Sequence, residues 1–308
     1  MRIAIIGLGD IAQKAYLPII TTRSDIEIVF CTRNQVTLDR LTKMYRVNES
    51  VSNINDLLDK GLDAAFVHTS TESHTEIVGK LLQHGIHVYL DKPIAYSYDE
   101  SRKLVELAEQ TGRILMIGFN RRFAPLYNQL KTKEDRRLII MQKNRVFDPD
   151  HARHFVFDDF IHVVDTLRYL APGEIRDVRV SSLQTEGRTH QVVLHLDGDG
   201  FTAMGIMNRD NGMAEETLDV TSPGNKWVVR GLNTTAHYTG GEERIYYFND
   251  WDSVLHRRGF PQIVDHFLHC VKHNSPPLQS VRDALDTHAL CEQITMEMER
   301  GGTGGMPG

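Results

Sequence analysis

Along the first 120 residues, short apolar runs alternate with stretches in which apolar positions recur every three or four residues. IAIIG, IEIVFC, AAFVHT, HVYLDKP and ILMIGFN read as strands, and VTLDRLTKMYR, TEIVGKLLQHG and DESRKLVELAEQTG as helices. Strands that are apolar on both faces need cover on both, and the intervening helices supply it, so the pattern predicts a doubly wound parallel sheet. Gly85 and Gly112 stand just past two of the helical runs, where a left-handed cap favours glycine. Beyond residue 120 the runs RRLIIMQKNRVF, RDVRVSSLQTEG, QVVLHLDGDG, FTAMGIMNR, ETLDVTSPG and NKWVVRGL follow one another closely, several of them separated by Gly, Asp or Asn turns. They predict an open, mostly antiparallel sheet in an α+β domain, closed by helices over 262–273 and 281–299. The expected division is therefore a nucleotide-type α/β domain over 1–120, an α+β domain for substrate and dimerisation over 121–300, and a disordered tail, GGTGGMPG, over 301–308.

One helical stretch has an unusual polar side. In FDDFIHVVDTLRYL, residues 157–170, a period of roughly 100° per residue puts Phe160, Val163, Val164 and Leu167 on one face and Asp158, His162, Asp165 and Tyr169 on the other. A solvated face is usually furnished with Lys, Glu and Arg, whereas this one carries groups that accept, donate and position protons. Either it is wet surface or it lines a cleft. Asp159 reads as a helix cap or dipole partner.

Composition narrows the function. With 41% apolar and 25% charged residues in a chain of 308, the protein has the profile of a soluble globular one, and no run approaches a membrane span. The start, MRIAIIGLGD, passes directly into a strand without a targeting pattern, which predicts a cytoplasmic location. Cys31, Cys270 and Cys291 are widely spaced packing residues, showing neither a disulfide framework nor zinc-site spacing. A net charge of −6 and a pI near 6.2 leave no footprint for nucleic acid, so the expected partner is a small molecule.

IGLGDIA places Gly7, Gly9 and Ala12 in a G-x-G-x-x-A pattern between a strand and a helix. Such a pattern serves dinucleotide binding: Gly7 permits the turn, Gly9 lets backbone approach a pyrophosphate, and Ala12 lets helix and strand pack closely. Leu8, Asp10 and Ile11 complete the loop. The acidic residue that would bind the adenosine ribose of NAD is replaced by Cys31-Thr32-Arg33-Asn34. With no carboxylate to repel a 2′-phosphate, and with Thr32 and Arg33 able to bind one, NADP is favoured and NAD remains possible.

HTSTESH at 68–74, LDKPIA at 90–95 and GFNRRFAP at 118–125, together with this loop, resemble the Gfo/Idh/MocA oxidoreductase family over nearly the whole chain, and within it the MviM-like oxidoreductases. The resemblance implies a Rossmann domain followed by an α/β domain with an open sheet, a dimer formed through that sheet, and no metal. Asp91-Lys92-Pro93 takes the place of the family's Glu-Lys-Pro, which implies that Lys92 is catalytic, that Asp91 and Pro93 border the cofactor, and that the proline follows a cis peptide. Thr69 and Ser70 replace the usual Thr-Pro and keep two hydroxyls for the cofactor. His74 matches a histidine common in relatives and can equally be a packed one, and Asn120 and Arg122 match cofactor-side positions.

Asp158 and His162 match the family's catalytic Asp and His, four residues apart on a helix, so the resemblance makes the polar side of 157–170 a catalytic face. Asp165 matches a further family acid or serves the helix itself. With Lys92, Asp158 and His162, Arg145 and His151 are expected on the substrate side; DPDHARH at 148–154 reads as a loop there rather than a metal site. The expected activity is hydride transfer between nicotinamide and a secondary alcohol or ketone of a sugar, polyol or sugar acid. The competing readings are a nucleotide-binding sensor without turnover and a glycosidase that oxidises its substrate transiently.

Overall fold

The structure, a computed structural model, describes residues 1–301; the expected disorder of 301–308 concerns a segment that otherwise lies outside the described residues. The chain divides into two compact units, Met1–Phe119 with Phe260–Asp286, and Asn120–Gly259 with the chain from Thr287 onward.

In the first unit β1 (Arg2–Ile6), β2 (Glu27–Cys31), β3 (Glu49–Val51), β4 (Ala64–Val67), β5 (His87–Leu90) and β6 (Leu115–Ile117) form one parallel sheet in the order β3-β2-β1-β4-β5-β6. Ile3 to Ile6 and Ala64 to Val67 are buried without alternation, as a sheet covered on both faces requires. Strand order reverses at β1 and β4, so ligands of this fold lie outside the carboxyl ends of the strands there. Those ends lead into Gly7, Thr32, His68, Asp91 and Gly118.

The segment Phe260–Asp286 belongs with this unit, whereas the sequence reading assigned it to the second domain. Helix Phe260–His273 buries Ile263, Val264, Phe267 and Leu268, and Phe267 meets the rings of Phe66 at 5.1 Å and Tyr89 at 5.6 Å. Its apolar stripe shows that the helix must cover a sheet; nothing in local periodicity says which one.

The second unit holds β7 (Leu138–Asn144), β8 (Ile175–Thr185), β9 (Arg188–Gly198), β10 (Phe201–Asn208), β11 (Glu215–Ser222), β12 (Asn225–Arg230), β13 (Thr234–Thr239) and β14 (Glu242–Tyr247). They form one sheet in the order β14-β13-β12-β11-β7-β10-β9-β8, antiparallel except for the β7–β10 pair. Strands β13 and β14 were not expected: β14 is exposed at every position, so it lacks the alternation that marks a half-buried strand.

Alternation on the central strands sorts the two faces. Ile139 and Met141 on β7, Ala203, Gly205 and Met207 on β10, and Leu218 and Val220 on β11 are in register, and the buried members form the floor beneath helix Ile161–Leu170. Gly205 is required there, because a Cβ would lie 2.8 Å from Val163 Cγ1 and 3.0 Å from Leu167 Cδ1. Before that helix, Phe155–Phe160 is wound as a π-helical turn, preceded by Ala152–His154. The wider turn rotates the residues on it, and the face expected from a uniform helix changes: Asp159 and Asp165 are buried, while Asp158 and His162 are half-buried. Among the described residues no helix is long and apolar enough to cross a membrane.

Candidate functional site

In the first unit the loop after β1 fits a dinucleotide. Gly7 has φ +85°, and a Cβ on it would stand 2.7 Å from the backbone of His68 and Thr69, so only glycine lets β1 and β4 open side by side here. Its N–H donates to Cys31 O at 2.9 Å. Around Gly9 nothing lies within 4 Å of the Cβ direction, which leaves the open approach that a pyrophosphate needs at the start of a helix. Leu8 and Ala12 are buried and anchor the loop; Asp10 and Ile11 are exposed, Asp10 pairing with Lys14 at 2.8 Å.

At the end of β2, Thr32 is half-buried and Arg33 exposed, while Asn34 accepts from Thr37 N–H at 3.0 Å and so caps helix Gln35–Tyr45. The Asn34 side chain thus has a structural task. At the end of β4, Thr69 keeps a buried hydroxyl without a hydrogen-bond partner, whereas Ser70 shares its hydroxyl with Ser73 at 3.0 Å.

His74 sits between two loops of the first unit. It is buried, with Nδ1 3.0 Å from Pro93 O and 3.2 Å from Ile94 O, and Nε2 3.1 Å from Thr69 O, so it ties the loop after β4 to the loop after β5. Burial lowers its pKa against the pull of these carbonyls. The packed alternative is the one the structure shows.

Lys92 stands half-buried at the carboxyl end of β5, followed by a cis bond to Pro93, and its backbone N–H donates to Asp91 Oδ1 at 3.0 Å. Burial pushes the Asp91 carboxyl up to about 6, with the Lys92 charge and the N–H bond opposing. Behind it the Tyr16 and Tyr89 hydroxyls share a hydrogen bond of 2.9 Å.

One residue here was quoted within a motif but not singled out. His68 lies at the mouth of β4, 5% exposed, stacked on Tyr16 at 4.0 Å, with both ring nitrogens lacking partners. Burial first, and then His74, holds its pKa down at about 3, so it is neutral at any working pH. The available signal was position: a histidine directly after a fully apolar strand, level with Gly7.

In the second unit Asn120 spends its amide on Arg258 O at 2.8 Å. Arg122 grips Asp165 from Nε at 2.9 Å and Nη2 at 2.7 Å, beneath the Tyr169 ring at 5.3 Å, and Thr287 donates to the same carboxylate at 3.1 Å. Arg122 and Asp165 therefore form a buried pair inside this unit, in which Asp165 has the structural role. Asp158, on the π-helical turn, and His162, in the helix that follows, are four residues apart on one continuous helical segment. His151 is exposed and held at the β8–β9 turn, its Nδ1 3.1 Å from Gly187 O.

Asp159 is no cap. Its buried carboxylate receives Lys143 Nζ and two bonds from Arg145, at 2.7 and 3.1 Å, with Arg209 at 3.7 Å. Burial alone would raise its pKa; Lys143 and Arg145 overturn that and hold it well below the carboxylate range. Next to it, Arg121 grips Glu216 at 2.8 and 2.7 Å, and Tyr127 donates to Glu216 at 3.0 Å. Against the penalty of burial, Arg121 brings Glu216 down to about 2. Among the described residues no group of three or more His, Cys, Asp or Glu is arranged to hold a metal ion.

Comparison with known proteins agrees with this architecture. Residues 1–119 match the model of the oxidoreductase family with an NAD-binding Rossmann fold, and residues 125–240 match that of the YceM-like C-terminal domain. The protein YceM of Salmonella typhimurium is 34% identical, covering 96% of this chain and 97% of its own. The structure of a dehydrogenase, MviM, from Clostridium difficile superposes with a TM-score of 0.92 at 32% identity, covering 96% of this chain and 99% of that one. The scyllo-inositol 2-dehydrogenase (NAD(+)) of Bacillus subtilis is 25% identical over 92% of this chain and 90% of its own. The glycine cradle after β1, the lysine at the end of β5 and these matches along both units lead to one conclusion: the chain belongs to the Gfo/Idh/MocA family of oxidoreductases.

Proposed function

We propose that this protein transfers a hydride between a nicotinamide dinucleotide, NADP in preference to NAD, and a carbon carrying a secondary alcohol or ketone in a sugar, polyol or sugar acid. The observation that carries this reading is Lys92, held at the carboxyl end of β5 by its N–H bond to Asp91, on the edge of the sheet where the glycine cradle opens. The inositol dehydrogenase relative supports a polyhydroxylated substrate.

The bound nicotinamide supplies a carbon that accepts or returns the hydride. In the oxidative direction His162 would take the hydroxyl proton, Lys92 would steady the developing alkoxide, and Asp158 would orient the imidazole and balance its charge. In the first unit Gly7, Gly9 and Ala12 would seat the pyrophosphate, Thr69 would offer its spare hydroxyl, and Thr32 and Arg33 would receive the 2′-phosphate. His74 positions Pro93. We further propose a cytoplasmic homodimer paired through the large sheet.

Dinucleotide fluorescence titration and turnover with inositols and sugar acids test the reading. Lys92→Met and His162→Ala are each expected to keep cofactor affinity and to lower turnover about 100-fold or more. Full turnover in both variants overturns the mechanism, and dinucleotide binding without turnover of any compound in the unaltered protein favours the sensor. Arg33→Ala is expected to weaken NADP by roughly 1–3 kcal/mol while sparing NAD; equal affinity of the unaltered protein for both cofactors rejects the preference.

A further inference from the structure

The apolar floor of the large sheet ends in charge on all three central strands at once. On β7 the face that carries Ile139 and Met141 continues to Lys143; on β10 the face of Ala203, Gly205 and Met207 continues past the strand to Arg209; on β11 the residue in register with Lys143, ahead of Leu218 and Val220, is Glu216. Arg121 joins them from the turn Asn120–Phe123, and Asp159 from the π-helical turn.

The charges do not balance. Arg121, Lys143, Arg145 and Arg258 lie within one another's electrostatic reach, and Asp159 and Glu216 are the carboxylates that act on them most strongly among the described residues. Arg209 also reaches Asp159, with Nη2 at 3.7 Å, and has Asp148 and Asp150 3.7 and 3.8 Å from its Nη1, while its buried Nε has no partner. At the rim Arg145 is half-exposed, with Nε and Nη2 on Asp159 and Nη1 left over, and Arg258 is exposed, its guanidinium making no hydrogen bond or ion pair among the described residues. The arrangement is thus a buried floor of satisfied pairs beneath a cationic rim.

We propose that this end of the sheet is an anion site, which takes the carboxylate or phosphate of a small polyhydroxylated ligand through Arg145 and Arg258, with Lys143 beneath them. A planar carboxylate or a phosphate can accept paired N–H bonds from guanidinium groups and neutralises the rim without displacing Asp159 or Glu216. Burial, and after it Arg121, push Lys143 down to about 7 against the pull of Asp159 and Glu216, and an anion bound above it would add to that pull. This inference rests on the oxidoreductase reading for the size and polyhydroxylated nature of the ligand, and it narrows the substrate class of that reading to sugar acids or sugar phosphates.

Isothermal titration of the full chain with glucuronate, glucose 6-phosphate and neutral glucose or myo-inositol tests it, with NADPH fluorescence measured alongside. At least one of the two anions should bind about tenfold or more tightly than the neutral compounds, and whichever anion it is identifies the preferred headgroup. Arg258→Met, at an exposed position that leaves the buried pairs intact, should remove about tenfold of that affinity, leave the neutral compounds unchanged and leave NADPH binding intact. Equal binding of anionic and neutral ligands, or an equal loss for both in Arg258→Met, overturns the anion site and shows these guanidiniums to be a solvated surface. NADPH binding without anion preference refutes this inference alone; anion preference without NADPH binding supports it and refutes the cofactor reading.

Discussion

Two aspartates, half-buried Asp91 in the first unit and buried Asp159 in the second, are shifted in opposite directions. Asp91 is pushed up to about 6, and Asp159 is held well below the carboxylate range. Both suffer the cost of leaving water, so burial does not explain the difference; the company does. Asp91 faces one lysine, one N–H bond and a pair of phenols, whereas Asp159 receives Lys143 and Arg145 directly, with Arg209 close by. The same contrast separates the two polar regions as wholes. Behind the dinucleotide loop, burial favours the neutral forms of His68, His74, Tyr16 and Tyr89. At the end of the large sheet, Asp159 and Glu216 are kept ionised.

The comparison breaks most visibly if Asp159 is neutralised. Asp159→Asn leaves Lys143 and Arg145 facing each other without their carboxylate, and loss of one partner from a buried ionic cluster costs about 3–5 kcal/mol. Urea unfolding at neutral pH measures it, and a loss below about 1 kcal/mol, the range of surface pairs, would show the cluster to be solvated. His68→Phe has the opposite sign: the ring keeps its place on Tyr16 and sheds two unpartnered nitrogens, so stability should rise by about 1–3 kcal/mol. A fall in the melting midpoint would show that His68 is already hydrogen-bonded in the resting protein.

The smallest effect sharpens the contrast through pH. An acid whose folded pKa lies above its unfolded value favours folding only while it is protonated; its contribution is complete below the unfolded value of 3.8 and is lost as pH rises through about 6. Asp91→Asn removes that burden but also the attraction to Lys92, so it should be more stable than the unaltered protein at neutral pH by about 3 kcal/mol at most, the difference vanishing in acid. Asp159 runs the other way, since its depressed pKa stabilises the protein above the ordinary carboxylate value and is lost as pH falls below it. Denaturant midpoints across pH for the two variants check both slopes, and parallel curves would remove the distinction.

How much of this was legible without coordinates differed by kind of signal. Strands with unbroken apolar runs and strands with clean alternation could be read, and so could the glycine loop, because each obeys a local period or a local steric demand. The exposed β14 had no such pattern. Asp159 looked like a cap because a uniform helical period was imposed on a segment that is π-wound, and Glu216 was passed over because its neighbour Lys143 is found only through strand register. His74 was read correctly as far as its motif and no further, since a packed histidine and a ligand histidine have the same sequence.

The return of helix Phe260–His273 to the first unit has a consequence for synthesis. A ribosome completes β1 to β6 early, yet Phe66 and Tyr89 remain without their cover until residue Phe267 has cleared the exit tunnel. Domains generally fold in the order in which they are made, but here the sheet made first cannot finish its core until nearly the whole chain has been translated. Nascent chains arrested before Phe260 should therefore be captured by chaperones and cut readily by protease, and extension past His273 should protect the amino-terminal half.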